Sequence, residues 1–158
     1  MADAFKIKIA IGADHRGFKI KEIIKKILEE KDFEVIDLGS FSEESSDYPD
    51  FAIRVGEEIK GGKAHFGILI CMTGIGMMIA ANKVKGIRAA LCRDEEDAYL
   101  ARAHNDANVL ALGSKNFKDE EELKRIVLKF VETPFEGGRH ERRIKKILDY
   151  ENCPTGSR

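Results

Sequence analysis

The run Phe66 to Cys71 is continuously apolar and is followed at once by Met72-Thr73-Gly74-Ile75-Gly76. A cysteine at such a junction has three chemistries open to it. It can be an inert small hydrophobe, the usual state of a buried thiol. It can head a phosphatase-like loop, but that loop needs an arginine six positions on to grip phosphate, and the residue there is Met77. The phosphatase is excluded. It can also be a base beside an oxyanion-binding turn, with backbone N–H groups holding a developing enediolate while the thiolate, facing the positive end of the next helix, moves a proton. The glycine turn is too short for a P-loop, and no Lys-Ser or Lys-Thr follows it.

Further polar groups punctuate the chain where a ligand could be met. Asp14-His15 follows the apolar run from Ile7 to Ala13, and a helix-capping aspartate beside an exposed histidine is the plain alternative to a catalytic pair. His104-Asn105 lies in the run Ala103 to Asn108, where a polar turn and a helix cap compete with a site. The stretch RHERRIKK, from Arg139 to Lys146, reads as a solvated helix face, yet Arg139 and Arg143 stand at i, i+4 and can converge on one anion.

To place these groups the chain must alternate strands and helices. Ile7, Ile9 and Ile11 predict a first strand, and Ile20, Ile23, Ile24, Ile27 and Leu28 follow at helical spacing. Val35 to Gly39 predicts a second strand. A polar stretch, SFSEESSD, then leads to Tyr48-Pro49, where proline in the first helical turn starts a helix carrying Ala52, Val55 and Ile59. Phe66 to Cys71, Ile87 to Cys92 and Val109 to Gly113 predict three more strands, each with a helix behind it. Thr133 to Gly138 breaks the pattern before a last short helix from Arg139 to Tyr150, and the tail from Glu151 is expected to fray. Such alternation implies an α/β fold: a parallel sheet covered on both faces, with its site at the carboxyl ends of the strands. Function is therefore expected after strands one, three, four and five, within a single domain over residues 1–150.

Composition narrows the partners. The 158 residues carry a formal charge of −1, which provides no global field toward nucleic acid or an anionic membrane. No apolar run nears the roughly 20 residues of a membrane span, and the start lacks the pattern of a secretory signal, so a cytoplasmic location is expected. Cysteines at 71, 92 and 153 match neither a disulfide framework nor a zinc pattern, which leaves reduced thiols.

Six blocks in order carry a resemblance: GADHRGF at 12–18, DYPD at 47–50, GILICMTGIGMMIAANK at 67–83, GIRAALC at 86–92, AHNDANVLALG at 103–113 and TPFEGGRHERRI at 133–144. Together they resemble the ribose-5-phosphate isomerase B family, which includes galactose-6-phosphate and allose-6-phosphate isomerases, over nearly the whole chain. The resemblance implies a Rossmann-like, three-layer αβα sandwich around a five-stranded parallel sheet, plus a C-terminal helix. It implies an aldose–ketose isomerase of the pentose phosphate pathway acting through a cis-enediolate, with no metal and no organic cofactor. By the same resemblance Cys71 matches the base, and Thr73 with the backbone of Met72, Gly74, Ile75 and Gly76 the anion-stabilising loop. Asp14 and His104 match the ring-opening pair, His15, Arg139 and Arg143 the phosphate ligands, and Tyr48 and Asn105 residues lining the sugar. Two departures stand out. Met72 occupies a position that is commonly glycine, so its backbone is expected to avoid positive φ. Lys115 stands where an arginine often assists phosphate binding and lacks the bidentate fork.

The implied substrate is a small sugar phosphate, ribose 5-phosphate interconverting with ribulose 5-phosphate, with a six-carbon allose or galactose 6-phosphate as the alternative. A non-catalytic phosphate sensor is a further alternative, though a sensor needs no thiol, threonine and oxyanion turn together. The expected assembly is a homodimer, or a tetramer, with active sites shared between chains: Cys71 lies at a strand's carboxyl end, whereas His104 closes the helix that returns to the opposite edge.

Overall fold

The computed structural model describes residues 4–154. Strands and helices alternate in the order β1 (Lys8–Ala13), α1 (Phe18–Glu30), β2 (Glu34–Asp37), α2 (Tyr48–Lys60), β3 (Phe66–Cys71), α3 (Ile75–Ala81), β4 (Ala89–Leu91), α4 (Glu95–Asn105) and β5 (Val109–Gly113). A 3-10 turn over Ser114–Asn116, α5 (Glu120–Glu132) and α6 (Arg139–Glu151) complete it. All strand pairs are parallel and the sheet order is β2-β1-β3-β5-β4, which puts the topological switch between β1 and β3. None of the described helices is long and apolar enough to cross a membrane.

The sheet is apolar on both faces because both are covered. Ile9, Ile11, Ile68, Ile70, Leu110 and Leu112 pack under α1, α4 and α5 with Leu28, Leu123 and Phe130. Ala10, Leu69, Val109 and Ala111 alternate with them and pack under α2 and α3 with Phe51, Val55 and Met77. Each fully buried isoleucine or leucine contributes roughly 1.5–3 kcal/mol. Two helices start as their sequences dictate: Asp94 Oδ1 accepts the Asp97 N–H at 2.8 Å and Asp119 Oδ1 the Glu122 N–H at 2.8 Å.

Several boundaries differ from expectation. β4 is only three residues long, because the Ile87 N–H turns back to Val84 O and the Arg88 N–H is taken by Asn108 Oδ1. The end of α4 is capped by Asp106, at φ 45°, one residue beyond Asn105. α6 continues to Glu151, whose carboxylate accepts the Gly86 N–H at 2.9 Å; residues 155–158 of the expected tail lie outside the described residues.

Candidate active site

Cys71 is the last residue of β3 and is buried, in register with Gly113 of β5. The chain then turns sharply. Gly74, at φ 77°, takes the left-handed conformation, and a Cβ there would stand 2.6 Å from Leu91 Cδ1 and 2.8 Å from the Leu112 carbonyl carbon. The turn brings the Gly74 N–H onto Cys71 Sγ at 3.1 Å and the Ile75 N–H onto Thr73 Oγ1 at 3.2 Å. The sulfur is thereby aimed, and the threonine hydroxyl keeps its proton for a ligand. Since both N–H groups already have partners, an oxyanion using them must exchange with the sulfur and the hydroxyl. Met72 avoids positive φ as expected: Asp32 and Asp106 are the non-glycine positive-φ residues among those described.

The neighbouring turn carries a carboxylate and an imidazole. Asp14, buried at the end of β1, uses Oδ1 to accept the N–H groups of Arg16 at 3.0 Å and Gly17 at 3.1 Å. It builds the β1–α1 turn and does not cap α1, whose first flanking residue is Gly17. His15 and Ser46 are mutually bonded: the His15 N–H donates to Ser46 Oγ at 3.1 Å, and the Ser46 N–H donates to His15 Nδ1 at 3.2 Å. A backbone donor on Nδ1 requires that nitrogen to be unprotonated, so the proton of the neutral ring is on Nε2. The Tyr48 ring lies against Gly76, where an added Cβ would sit 2.7 Å from it. The Lys115 N–H donates to Met72 O at 3.2 Å, tying the end of β5 to the same turn. Asp14, His15, Tyr48, Cys71, Thr73 and Lys115 thus gather around the carboxyl ends of β1, β3 and β5. β4 carries no candidate site residue in the turn directly after it; His104 and Asn105 come at the far end of the helix that follows. The thiol just beyond β4, Cys92, is pushed up to about 12 by burial and then by Asp97 and Asp94, which keeps it protonated.

His104, Asn105, Arg139 and Arg143 form a second group elsewhere. His104 and Asn105 end α4, a short turn before Val109 begins β5, whereas Cys71 is paired with Gly113 at the far end of that strand. Four strand steps separate the two ends, roughly 13 Å. The Glu136 N–H donates to Ala103 O at 3.0 Å and clips the segment before α6 onto the end of α4. The His140 ring stacks on His104, with centroids 4.2 Å apart and planes 14° apart. Arg139 and Arg143 lie on the same first turns of α6.

Three further residues join this second group, none of them marked by its own type and spacing as part of a site. Glu136 Oε2 lies 3.8 Å from His104 Nε2 and 3.7 Å from His140 Nε2, while the Tyr99 hydroxyl donates to Glu136 Oε1 at 2.9 Å. His140 is buried and its Nε2 has no hydrogen-bond partner among the described residues. Burial, then the proximity of His104 and Arg139, pushes His140 below the ordinary histidine range, with Glu136 opposing. His104, Glu136 and His140 bring three potential ligand atoms within 4.8 Å of one another. Stacked rings send their in-plane lone pairs along nearly parallel lines, so the trio as arranged does not converge on one ion.

A surface cavity of about 610 Å³ opens among Phe5, Lys6, Lys8, Glu34 and His65 at the opposite end of β1 from Asp14, and it holds none of these groups. Asp14, Cys71 and Thr73 lie at the other, carboxyl end of the sheet.

Comparison with known proteins identifies the family and the fold. The family model described as Ribose/Galactose Isomerase matches residues 9–147. Ribose-5-phosphate isomerase B of Escherichia coli K12 is 47% identical over 144 residues, which cover 91% of this chain and 96% of that protein. A ribose 5-phosphate isomerase structure from Thermotoga maritima superposes with a TM-score of 0.88 at 52% identity, covering 92% of this chain and 99% of that one. Ribose-5-phosphate isomerase B from Mycoplasma genitalium, solved with bound ribulose-5-phosphate, has a TM-score of 0.88 at 47% identity, covering 94% of this chain and 98% of the other.

Proposed function

The chain belongs to the ribose/galactose isomerase family, and from that premise we propose that it interconverts ribose 5-phosphate and ribulose 5-phosphate as an aldose–ketose isomerase of the ribose-5-phosphate isomerase B type. The observation that carries the catalytic assignment is the Cys71 thiol at the end of β3, aimed by the Gly74 N–H under the Thr73 to Gly76 turn. In this reading Asp14 and His104 open the sugar ring. The Cys71 thiolate removes the proton from C2, the C2–H electrons form the C1–C2 double bond, and the C1 oxygen takes the negative charge beside Thr73. The same sulfur returns the proton to C1 while the O2 hydroxyl proton passes to the adjacent O1, so that the C2 carbonyl and the C1 hydroxyl form together. His15 Nε2–H, Arg139 and Arg143 hold the phosphate, with Lys115 nearby, while Tyr48 and Asn105 line the sugar. The cycle balances with no metal or organic cofactor.

One chain cannot assemble that list, because its two groups of residues stand at opposite ends of the sheet. A two-fold homodimer that sets His104, Asn105, Arg139 and Arg143 of one subunit against the Cys71 turn of the other resolves this. In support, the Cys71 turn is flanked by exposed Met72, Ile75 and Ile79, apolar side chains suited to being covered. We place the protein in the cytoplasm, where a catalytic thiol stays reduced.

A coupled assay on ribose 5-phosphate, allose 6-phosphate and galactose 6-phosphate, run in deuterated water with and without EDTA, tests the function. Turnover should be greatest on the five-carbon substrate, deuterium should appear in product, and EDTA should change nothing. Preference for a six-carbon phosphate would reassign the substrate, inhibition by EDTA would overturn the metal-free route, and inactivity on all three would overturn the isomerase reading.

A further inference from the structure

The β1–α1 turn, the Cys71 turn and the start of the 3-10 turn enclose an open depression lined by His15, Arg16, Lys19, Glu43, Met72 and Ser114. Its charges divide unequally. Lys19 Nζ and Glu43 Oε1 are 3.3 Å apart and compensate one another. The His15 ring is fixed by Ser46 so that its remaining donor is Nε2–H. Arg16 is different. Its backbone is pinned by Asp14, yet among the described residues its guanidinium has no carboxylate partner, and its recorded contact is Nη1 to the thioether Sδ of Met72 at 3.2 Å.

A thioether is among the weakest acceptors a protein offers, whereas guanidinium–phosphate pairs are charge-assisted and can be bidentate. A cation held on such a contact gives it up readily to an anion. Met72 directly follows Cys71, so the guanidinium is parked beside the reacting turn and not out in solvent. The exposed side chain at position 72, which the turn does not need for its own geometry, gains a purpose by keeping Arg16 over the depression.

We propose that Arg16 is a phosphate-binding residue of this site, resting on Met72 in the ligand-free chain and passing to the substrate phosphate when it binds beside His15. The proposal rests on the isomerase reading and adds to it a guanidinium contributed by the same chain as Cys71, which Lys115 with its single ammonium cannot replace. On binding, the Arg16–Met72 contact is exchanged for bonds to phosphate oxygens, with no change in covalent structure.

Arg16→Gln and Arg16→Lys, assayed in the full-length protein, test this. If Arg16 binds phosphate, Arg16→Gln raises the KM for the sugar phosphate and the inhibition constant of inorganic phosphate together, each about tenfold or more, while kcat falls far less. Arg16→Lys recovers part of the charge but not the fork, so both constants fall between those of wild type and Arg16→Gln. Unchanged KM and unchanged phosphate inhibition in Arg16→Gln would overturn the proposal, as would loss of kcat alone. If wild type turns over none of the sugar phosphates, the isomerase reading fails separately. Calorimetric titration with inorganic phosphate then still decides on Arg16: equal affinity in wild type and Arg16→Gln overturns it, and weaker affinity in the variant supports it.

Discussion

Among single residues the sharpest contrast is between two buried thiols. Cys71 receives an N–H bond at its sulfur and opens onto a turn of hydrogen-bonding groups, whereas Cys92 is enclosed beside Asp94 and Asp97 and stays protonated. Cys71→Ala should therefore reduce turnover by several orders of magnitude while sugar-phosphate binding persists, and alkylation should inactivate the protein unless substrate protects it. Cys92→Ala and Cys153→Ala should keep most of the activity. Kinetics of the three variants with a calorimetric binding titration check this, and ordinary turnover by Cys71→Ala would remove the base from the mechanism. Cys71 and Asp14 were legible in the sequence because each terminates an apolar strand, a position that fixes where a side chain must go. Glu136, His140 and Tyr99 were not: their meeting depends on α6 folding back onto α4, which no local pattern announces.

The secondary elements add constraints that no single side chain shows. The turn between β3 and α3 works only because Gly74 is left-handed and Gly76 admits the Tyr48 ring. Gly76→Ala should displace Tyr48 and the start of α2, raising KM and reducing kcat together, while Cys71 remains titratable by a thiol reagent; unaltered kinetics would show that the contact is dispensable. At the other edge of the site, Lys21 is wholly buried on α1 and places Nζ 2.7 Å from both oxygens of Asp37 at the end of β2, with Lys25 at 2.8 Å. Burial by itself would raise Asp37, but hydrogen bonds from Lys21, Lys25 and the Gly39 N–H overrule it and hold the carboxyl below its ordinary range. A carboxyl lowered in the folded state gives stability that is fully present above its unfolded value of about 4 and is lost as pH falls through its folded value. Asp37→Asn should thus destabilise the protein at neutral pH, where it leaves buried Lys21 with only Glu22 Oε1, 3.2 Å away, as its anion, and flatten the loss of stability below pH of about 4; denaturant midpoints from pH 7 down to 3 measure both. Strand identity was readable from apolar runs, since β3 and β5 fall where their patterns put them. β4 was overextended because Ile87 and Arg88 have strand-like composition, and only the tertiary partners Val84 and Asn108 draw their N–H groups away.

For the molecule as a whole, the defining fact is that Cys71 and His104 face opposite ends of one sheet. The sequence allowed this to be anticipated from helix return alone, but the partner surface itself was not visible there, since Met72, Ile75 and Ile79 look like core residues until the fold leaves them exposed. If catalysis is shared, mixing inactive Cys71→Ala with inactive His104→Ala and allowing subunits to exchange should restore about a quarter of the wild-type sites, because half of the dimers are mixed and each mixed dimer has one intact site. A mixture that stays inactive after confirmed exchange would rule out sharing.

The same separation has a genetic consequence. If each site is shared across a homodimer, a chain carrying Cys71→Ala and His104→Ala together would spoil both sites of any dimer it joins, whereas a chain with one of those changes would spoil only one. Co-expressed with the wild type, the doubly altered chain should act as a dominant poison, whereas the singly altered chain should remove no more sites than its own share of the protein. A cell that makes the wild-type and doubly altered chains would lose more activity than its share of defective protein accounts for.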